Sequence, residues 1–241
     1  MPIASAVSKS LLIVQSNYIP WKGYFDMIRA TDEFVLYDDV QYTRRDWRNR
    51  NRIKTAGGTQ WLTIPVEVKG KYLQKIKETK VSDPGWARQH WQTLSGAYRR
   101  APFFRELQDR FESFYRGDVS PWLSDINREL IAMVCEILGI TTVIRSSSDF
   151  DLQADEPTAR LLEICLKAGA TDYLSGPAAK AYLDESPFQQ AGVQVRWMDY
   201  AGYPEYPQLH GPFEHAVSIV DLLWMTGPSA AMYLERQRHA A

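Results

Sequence analysis

The chain is short of the residues that stage metal and thiol chemistry. Of 241 residues, two are cysteine and four are histidine. Cys135 and Cys165 both fall in helical patterns, so neither a disulfide framework nor a metal-ligand spacing is available. Charge of one sign is missing too. The formal net charge is −1, so the field of the whole protein does not gather nucleic acid. No apolar run reaches the roughly 18 residues that a membrane span needs. The first ten residues, MPIASAVSKS, lack the basic and long apolar regions of a signal peptide, and the expected compartment is the cytoplasm. Phosphate loops of the GxxxxGKS/T and GxGxxG kinds are also absent.

What is present suits an ordinary globular protein. Apolar residues make up 45% and charged residues 24%, enough for a full core. The length fits one domain over 1–241, with an insertion expected at about 60–118. Buried-type strands are expected at 11–14 and 34–37, with a short helix at 23–30 between them. That strand–helix–strand order belongs to a parallel sheet. Further strands are expected at 140–144, 173–174 and 193–197. Residues 61–68 read as an edge strand because they contain Pro65, with 75–81 as its partner. Helices are expected from Asp83-Pro84, from Ala101-Pro102, from Ser120-Pro121 to Gly139, and from Asp155-Glu156-Pro157 to Gly169. Others are expected at 178–185, 215–225 and 229–238, while 202–215 reads as a long loop rich in Pro and Tyr. The fold class is α/β: a mostly parallel open sheet flanked by helices, with an inserted β-ribbon and helical segment. His90 and the aromatics at helical spacing around it read as core, and Cys165 as a small apolar residue rather than a nucleophile.

One stretch stands out, residues 34–53, FVLYDDVQYTRRDWRNRNRI. Asp38 and Asp39 follow an apolar strand, and Arg44, Arg45, Arg48, Arg50 and Arg52 fall within nine positions. Arg48, Arg50 and Arg52 alternate, so an extended backbone points them to one side. Forked guanidinium groups suit carboxylate or phosphate. The plainer reading is a solvated strand whose arginines pair with nearby acids.

Together with VQSNYIPWKGYFDMI (14–28), YLSGPAAKAYLDE (173–185) and GPFEHAVSIVDLLWMTGP (211–228), this stretch resembles the WbqC-like family, over about residues 11–228. Such proteins sit among surface-polysaccharide genes. The resemblance implies acyl or aminoacyl transfer to an amino group.

In open α/β sheets, ligands bind beyond the carboxyl ends of the strands. Polar groups end five expected strands: Gln15-Ser16-Asn17, Asp38-Asp39, Arg145-Ser146, Ser175-Gly176 and Asp199. If the strands are parallel neighbours, these converge on one rim. Gly176 to Lys180 offers backbone N–H groups at a helix start, an anion site, or else an ordinary turn with a solvated lysine paired to Asp184. His210 and His215 are the acid/base candidates, with His215 at an expected helix N-terminus where the dipole favours its neutral form. Asp38 and Asp39 are the other base candidates. The binding candidates are Gln15, Asn17, Tyr18, Gln41, Arg48, Asn49, Arg50, Asn51, Ser175, Gly176 and Lys180. Asp221, among apolar residues, either orients an arginine of the 44–52 tract or belongs to the site.

The expected activity is amide formation from an acyl or aminoacyl thioester, on coenzyme A or a phosphopantetheine carrier protein, to an amine on a small molecule or nucleotide-linked amino sugar. Donors near Ser175-Gly176 would hold the oxyanion. No tightly bound cofactor and no metal are expected. An ATP-dependent amide ligase and a non-catalytic binder of a carrier protein or sugar precursor are the alternatives.

Overall fold

The protein is described by a computed structural model over residues 8–235. In chain order the elements are β1 (Ser10–Val14), α1 (Lys22–Arg29), β2 (Glu33–Leu36), β3 (Arg50–Thr55), β4 (Gly58–Thr63), α2 (Trp86–Tyr98), α3 (Phe104–Arg116), α4 (Leu123–Leu138), β5 (Val143–Ser146), α5 (Pro157–Ala168), β6 (Asp172–Ser175), α6 (Ser186–Gln190), β7 (Gln194–Trp197) and α7 (Ile219–Thr226). Five strands form a parallel sheet and two an antiparallel ribbon, so the fold is α/β. The chain divides into two compact units, the first from residues 1–15, 27–37 and 141–199, the second from 16–26, 38–140 and 200–241. Among the described residues no helix is long and apolar enough to cross a membrane.

The first unit holds the sheet, in the order β5-β2-β1-β6-β7. Its central strands SLLIV and EFVL are apolar on both faces, as strands of a parallel sheet covered on both sides must be. The edge strands are less covered, and Val143 at the start of β5 is exposed. β5 lies about three residues beyond the expected 140–144, because its register is set by pairing Val143 to Glu33 and Ser146 to Leu36 rather than by apolarity. α5 forms as its punctuation implies. Pro157 opens it, the Glu156 carboxylate accepts from Ala159 N at 2.7 Å, and Gly169 closes it at φ 66°. The helix expected at 178–185 does not form. Pro177–Ala181 is a single 3-10 segment, and Asp184 Oδ1 accepts from Ser186 N at 2.9 Å, which starts α6 instead.

The second unit is helical around the β3–β4 ribbon. β4 begins three residues before the expected strand and stops before Pro65, whose missing N–H cannot continue a ladder. Of the expected partner at 75–81, single bridges appear among the described residues, Gln41 to Lys75, Val66 to Val81 and Lys80 to Trp122. The aromatics at helical spacing are core. Trp224 of α7 packs at 5.0–5.3 Å against Tyr98, Phe104 and Phe111, and Trp91 stacks on Phe104. Past α7 the chain tightens into a 3-10 run, Gly227–Leu234, and residues 236–238 of the expected 229–238 helix lie outside the described residues.

Candidate functional site

The second unit collects most of the candidate side chains. The turn after β1 is tied down first. Ser16 N donates to Asp38 Oδ1 at 2.8 Å, the Ser124 hydroxyl donates to Asp38 Oδ2, and Asn127 Nδ2 donates to Ser16 Oγ and to the Arg48 carbonyl, both at 2.9 Å. Asp38 is buried, and burial pushes its pKa up against those hydrogen bonds and the Arg48 charge. Asp39 pairs with Lys77 and stands 3.9 Å from Lys75. Both carboxylates are thus engaged within the fold.

The arginine tract divides. Arg50 and Arg52 share one face of β3, as alternation implies, but Arg48 precedes the strand and turns away. Its guanidinium donates to Asn17 Oδ1 and to the Ser16 carbonyl, and stands 3.7 Å from Asp46. Asn51, on the buried face of β3, donates to the carbonyls of Tyr18 and Ile19 at 3.0 and 2.9 Å. Asn49 donates to the Ile64 carbonyl, and Gln41 to the Tyr72 carbonyl, each at 2.7 Å. Tyr18 turns its hydroxyl into the core, 2.8 Å from His90 Nδ1 and 2.6 Å from the Tyr115 hydroxyl. Burial brings the His90 pKa down to about 4, so that ring is neutral and structural.

Asn17, Pro20, Trp21, Trp47, Asn51 and Ala216 line a cavity of about 190 Å³. His215 is the next residue along from its wall. The ring of His215 is half-buried, edge-on to Phe213 at 4.6 Å, and among the described residues its buried Nδ1 has no hydrogen-bond partner. Its pKa is lowered by burial and then by the Lys22 charge, against Glu205 and Glu214. The helix dipole is not the cause. α7 starts four residues later than expected, at Ile219, because Ser218 caps it through Val220 N at 3.4 Å. His210 is half-buried in the preceding loop.

The model of the WbqC-like protein family matches residues 15–233, a span that includes the whole cavity wall. This chain belongs to the WbqC-like family. It is 50% identical over 226 residues to Rv1507c of Mycobacterium tuberculosis, a protein described as uncharacterized, covering 94% of this chain and 97% of that one. No solved structure matches it.

Two buried cations of this WbqC-like chain were not singled out by sequence. Lys22, at the start of α1, is buried; its ammonium donates to the Pro204 carbonyl at 2.8 Å and is ringed by Tyr203, Tyr206 and Phe213 at 5.2–5.9 Å. Burial brings its pKa down to about 8, against the Glu205 charge. The local signal was a lysine inside the apolar run IPWKGYF. Lys54 donates to Gln208 Oε1 at 2.9 Å and to the Pro212 carbonyl. Gln208 in turn donates to Asp221 Oδ1 at 2.8 Å, and the Tyr98 hydroxyl donates to Asp221 Oδ2 at 2.9 Å. Among the described residues Asp221 therefore orients no arginine of the 44–52 tract. It is fully buried, and its ordering role falls on the 206–214 loop.

The remaining candidates belong to the first unit. The strand ends there share one edge, with Gln15, Ser146, Ser175 and Met198 following or closing parallel neighbours. Asp38 and Asp39 fall in the other unit. Ser175 is buried and its carbonyl accepts from Met198 N at 2.8 Å. Gly176 precedes the five-residue 3-10 segment, which is no α-helical N-terminus for an anion. Lys180 is exposed with its ammonium 5.6 Å from the Trp197 ring, and it forms no ion pair with Asp184 among the described residues. Both cysteines are buried, and burial pushes their thiols up to about 12.

Proposed function

We propose that this WbqC-like protein is an N-acyl or N-aminoacyl transferase. It moves an acyl group from a thioester of coenzyme A or a phosphopantetheine carrier protein to the amine of a small molecule or a nucleotide-linked amino sugar. The reaction belongs in the cytoplasm, where those thioesters are made. One observation carries this reading: a histidine whose pKa is lowered by burial and by a neighbouring ammonium, with a buried Nδ1 that has no hydrogen-bond partner among the described residues, next to a small, mostly apolar cavity. A neutral imidazole is the form a base must have. His215 takes a proton from the incoming ammonium. The free amine attacks the thioester carbonyl to give a tetrahedral intermediate, and the C–S bond breaks as it collapses. The departing thiolate takes the second proton lost from the amine nitrogen, and His215 returns its own proton to solvent. Asn17 stands at the wall, and Arg48 fixes it by donating to its Oδ1. No covalent enzyme intermediate is required, which agrees with thiols too basic to act as nucleophiles.

The test offers purified protein a panel of amino acids and sugar-nucleotide amines with acyl-CoA or carrier-bound donors, with and without ATP. Free thiol and AMP are followed together. The expected result is amine-dependent thiol release without ATP. AMP release would replace the reading by an ATP-dependent ligase. Binding of donor or acceptor with neither product would make the protein a binder.

A further inference from the structure

We infer that the outer face of the β3–β4 ribbon is a binding platform for a nucleoside diphosphate. Strand register places Trp61 directly opposite Arg52, with Arg50 two residues along the same face. The Arg50 guanidinium lies 4.1 Å from the centre of the Trp61 ring, and that of Arg52 lies 5.9 Å away. Trp61 and Trp47 are 42% and 40% exposed, with ring centres 5.3 Å apart. Two neighbouring indoles turned to solvent cost hydrophobic free energy unless something covers them.

The cations of this face are not spent on carboxylates. Among the described residues neither Arg50 nor Arg52 has an acid within ion-pair distance, and the Nε of each is buried without a hydrogen-bond partner. Among the described residues Arg50 donates to the Arg45 carbonyl. Asp46, whose field Arg50 reaches, is bonded to Thr43 and Trp47 and stands beside Arg48. Arg44 and Arg45 are exposed nearby in sequence. Forked guanidinium groups that no carboxylate holds match adjacent phosphates, and exposed indoles match a planar base.

Trp47 fixes how this face relates to the reaction. It walls the small cavity and also touches Trp61. A ligand with its reacting end in the cavity crosses Trp47 to reach Trp61 and the arginines. This last step rests on the transferase reading; the platform does not. Nucleotide-linked amino sugars and coenzyme A both carry a nucleoside diphosphate, so the platform's base preference tells which substrate it receives.

The experiment titrates the full chain with ADP, UDP, coenzyme A and inorganic pyrophosphate, reading tryptophan fluorescence and calorimetry. Nucleoside diphosphates are expected to quench and to bind at least about 10-fold more tightly than pyrophosphate, since stacking adds to charge. Trp61→Ala and Arg52→Gln should each weaken binding about 10-fold. Trp61→Tyr, which keeps a ring, should retain it, and His215→Gln should leave it unchanged. Tighter binding of ADP and coenzyme A assigns the platform to the donor, and tighter binding of UDP to the acceptor. Absence of quenching by every nucleotide, or equal affinity in wild type, Trp61→Ala and Arg52→Gln, overturns the proposal. Nucleotide binding that fails in those variants, in a protein that releases no thiol, keeps the platform and removes the transferase reading.

Discussion

In the first unit the buried carboxylate is Glu33, and its partners Lys9 and Arg145 stay about one-third exposed. In the second unit Lys22, Asp26, Asp38, Lys54, His90 and Asp221 are all taken out of water. Burying a charge costs several kcal/mol unless hydrogen bonds and opposite charge offset it. The second unit supplies those partners largely from one loop. Tyr203 donates to Asp26 at 2.6 Å, the Pro204 carbonyl accepts from Lys22, and Gln208 bridges Lys54 and Asp221. That loop has almost no regular structure, so buried polar anchors do for it what a backbone ladder does for the sheet. The difference teaches where each unit's rigidity comes from. The sheet is held by apolar strands and hydrogen-bonded register, and the loop that leads to His215 by desolvated charge.

The contrast can be broken most directly at Asp221. Asp221→Ala leaves Lys54 without its compensating carboxylate and should cost about 3–5 kcal/mol in urea unfolding. Glu33→Gln, whose partners keep about a third of their surface in water and remain charge-solvated there, should cost about 1 kcal/mol or less. Equal costs would erase the distinction.

His215→Gln separates chemistry from support. It should lower kcat roughly 100-fold while shifting stability by no more than about 0.5 kcal/mol. In wild type the acid limb of kcat/KM should fall below the ordinary histidine value, because burial and the Lys22 charge lower the pKa of His215.

Lys22→Met sharpens the same point through pH. The folded pKa of Lys22 is about 8 and its ordinary value 10.5, so between those values the unfolded chain holds a proton that the folded chain has released. Wild-type stability should therefore gain a rising component across that window, and lose it as pH falls through 8. Thermal midpoints of Lys22→Met across the window should lack it, and the acid limb set by His215 should move up.

The smallest effect is expected at Lys180 in the first unit. Lys180→Ala should leave stability within about 0.5 kcal/mol and kcat/KM within about twofold, as for an exposed side chain with no ion pair. A loss comparable to that of His215→Gln would show that the chemistry is not confined to the second unit.

Local signals carried well where local physics decides. Gly139 and Gly169 close α4 and α5 in left-handed conformations, and Pro157 opens α5, as the spacing implied. The apolar runs expected as strands at 11–14 and 34–37 form inner strands of the sheet, Ser10–Val14 and Glu33–Leu36, where both faces are covered. Alternation placed Arg50 and Arg52 on one face, and could not show that Arg48 lies before the strand and bonds back to Asn17. The late start of α7 had a local sign, the Ser218 cap, hidden inside an apolar run that looked helical from His215 onward.

By itself the amino-acid order determined the α/β class, most elements and the family, since propensity, caps and hydrophobic period act over a few residues. Only the tertiary structure decided the environments of the titratable groups. Lys22 finds its carbonyl 182 residues away and Asp221 its tyrosine 123 residues away. Charge and desolvation act through distance in space, and no spacing along the chain encodes that distance.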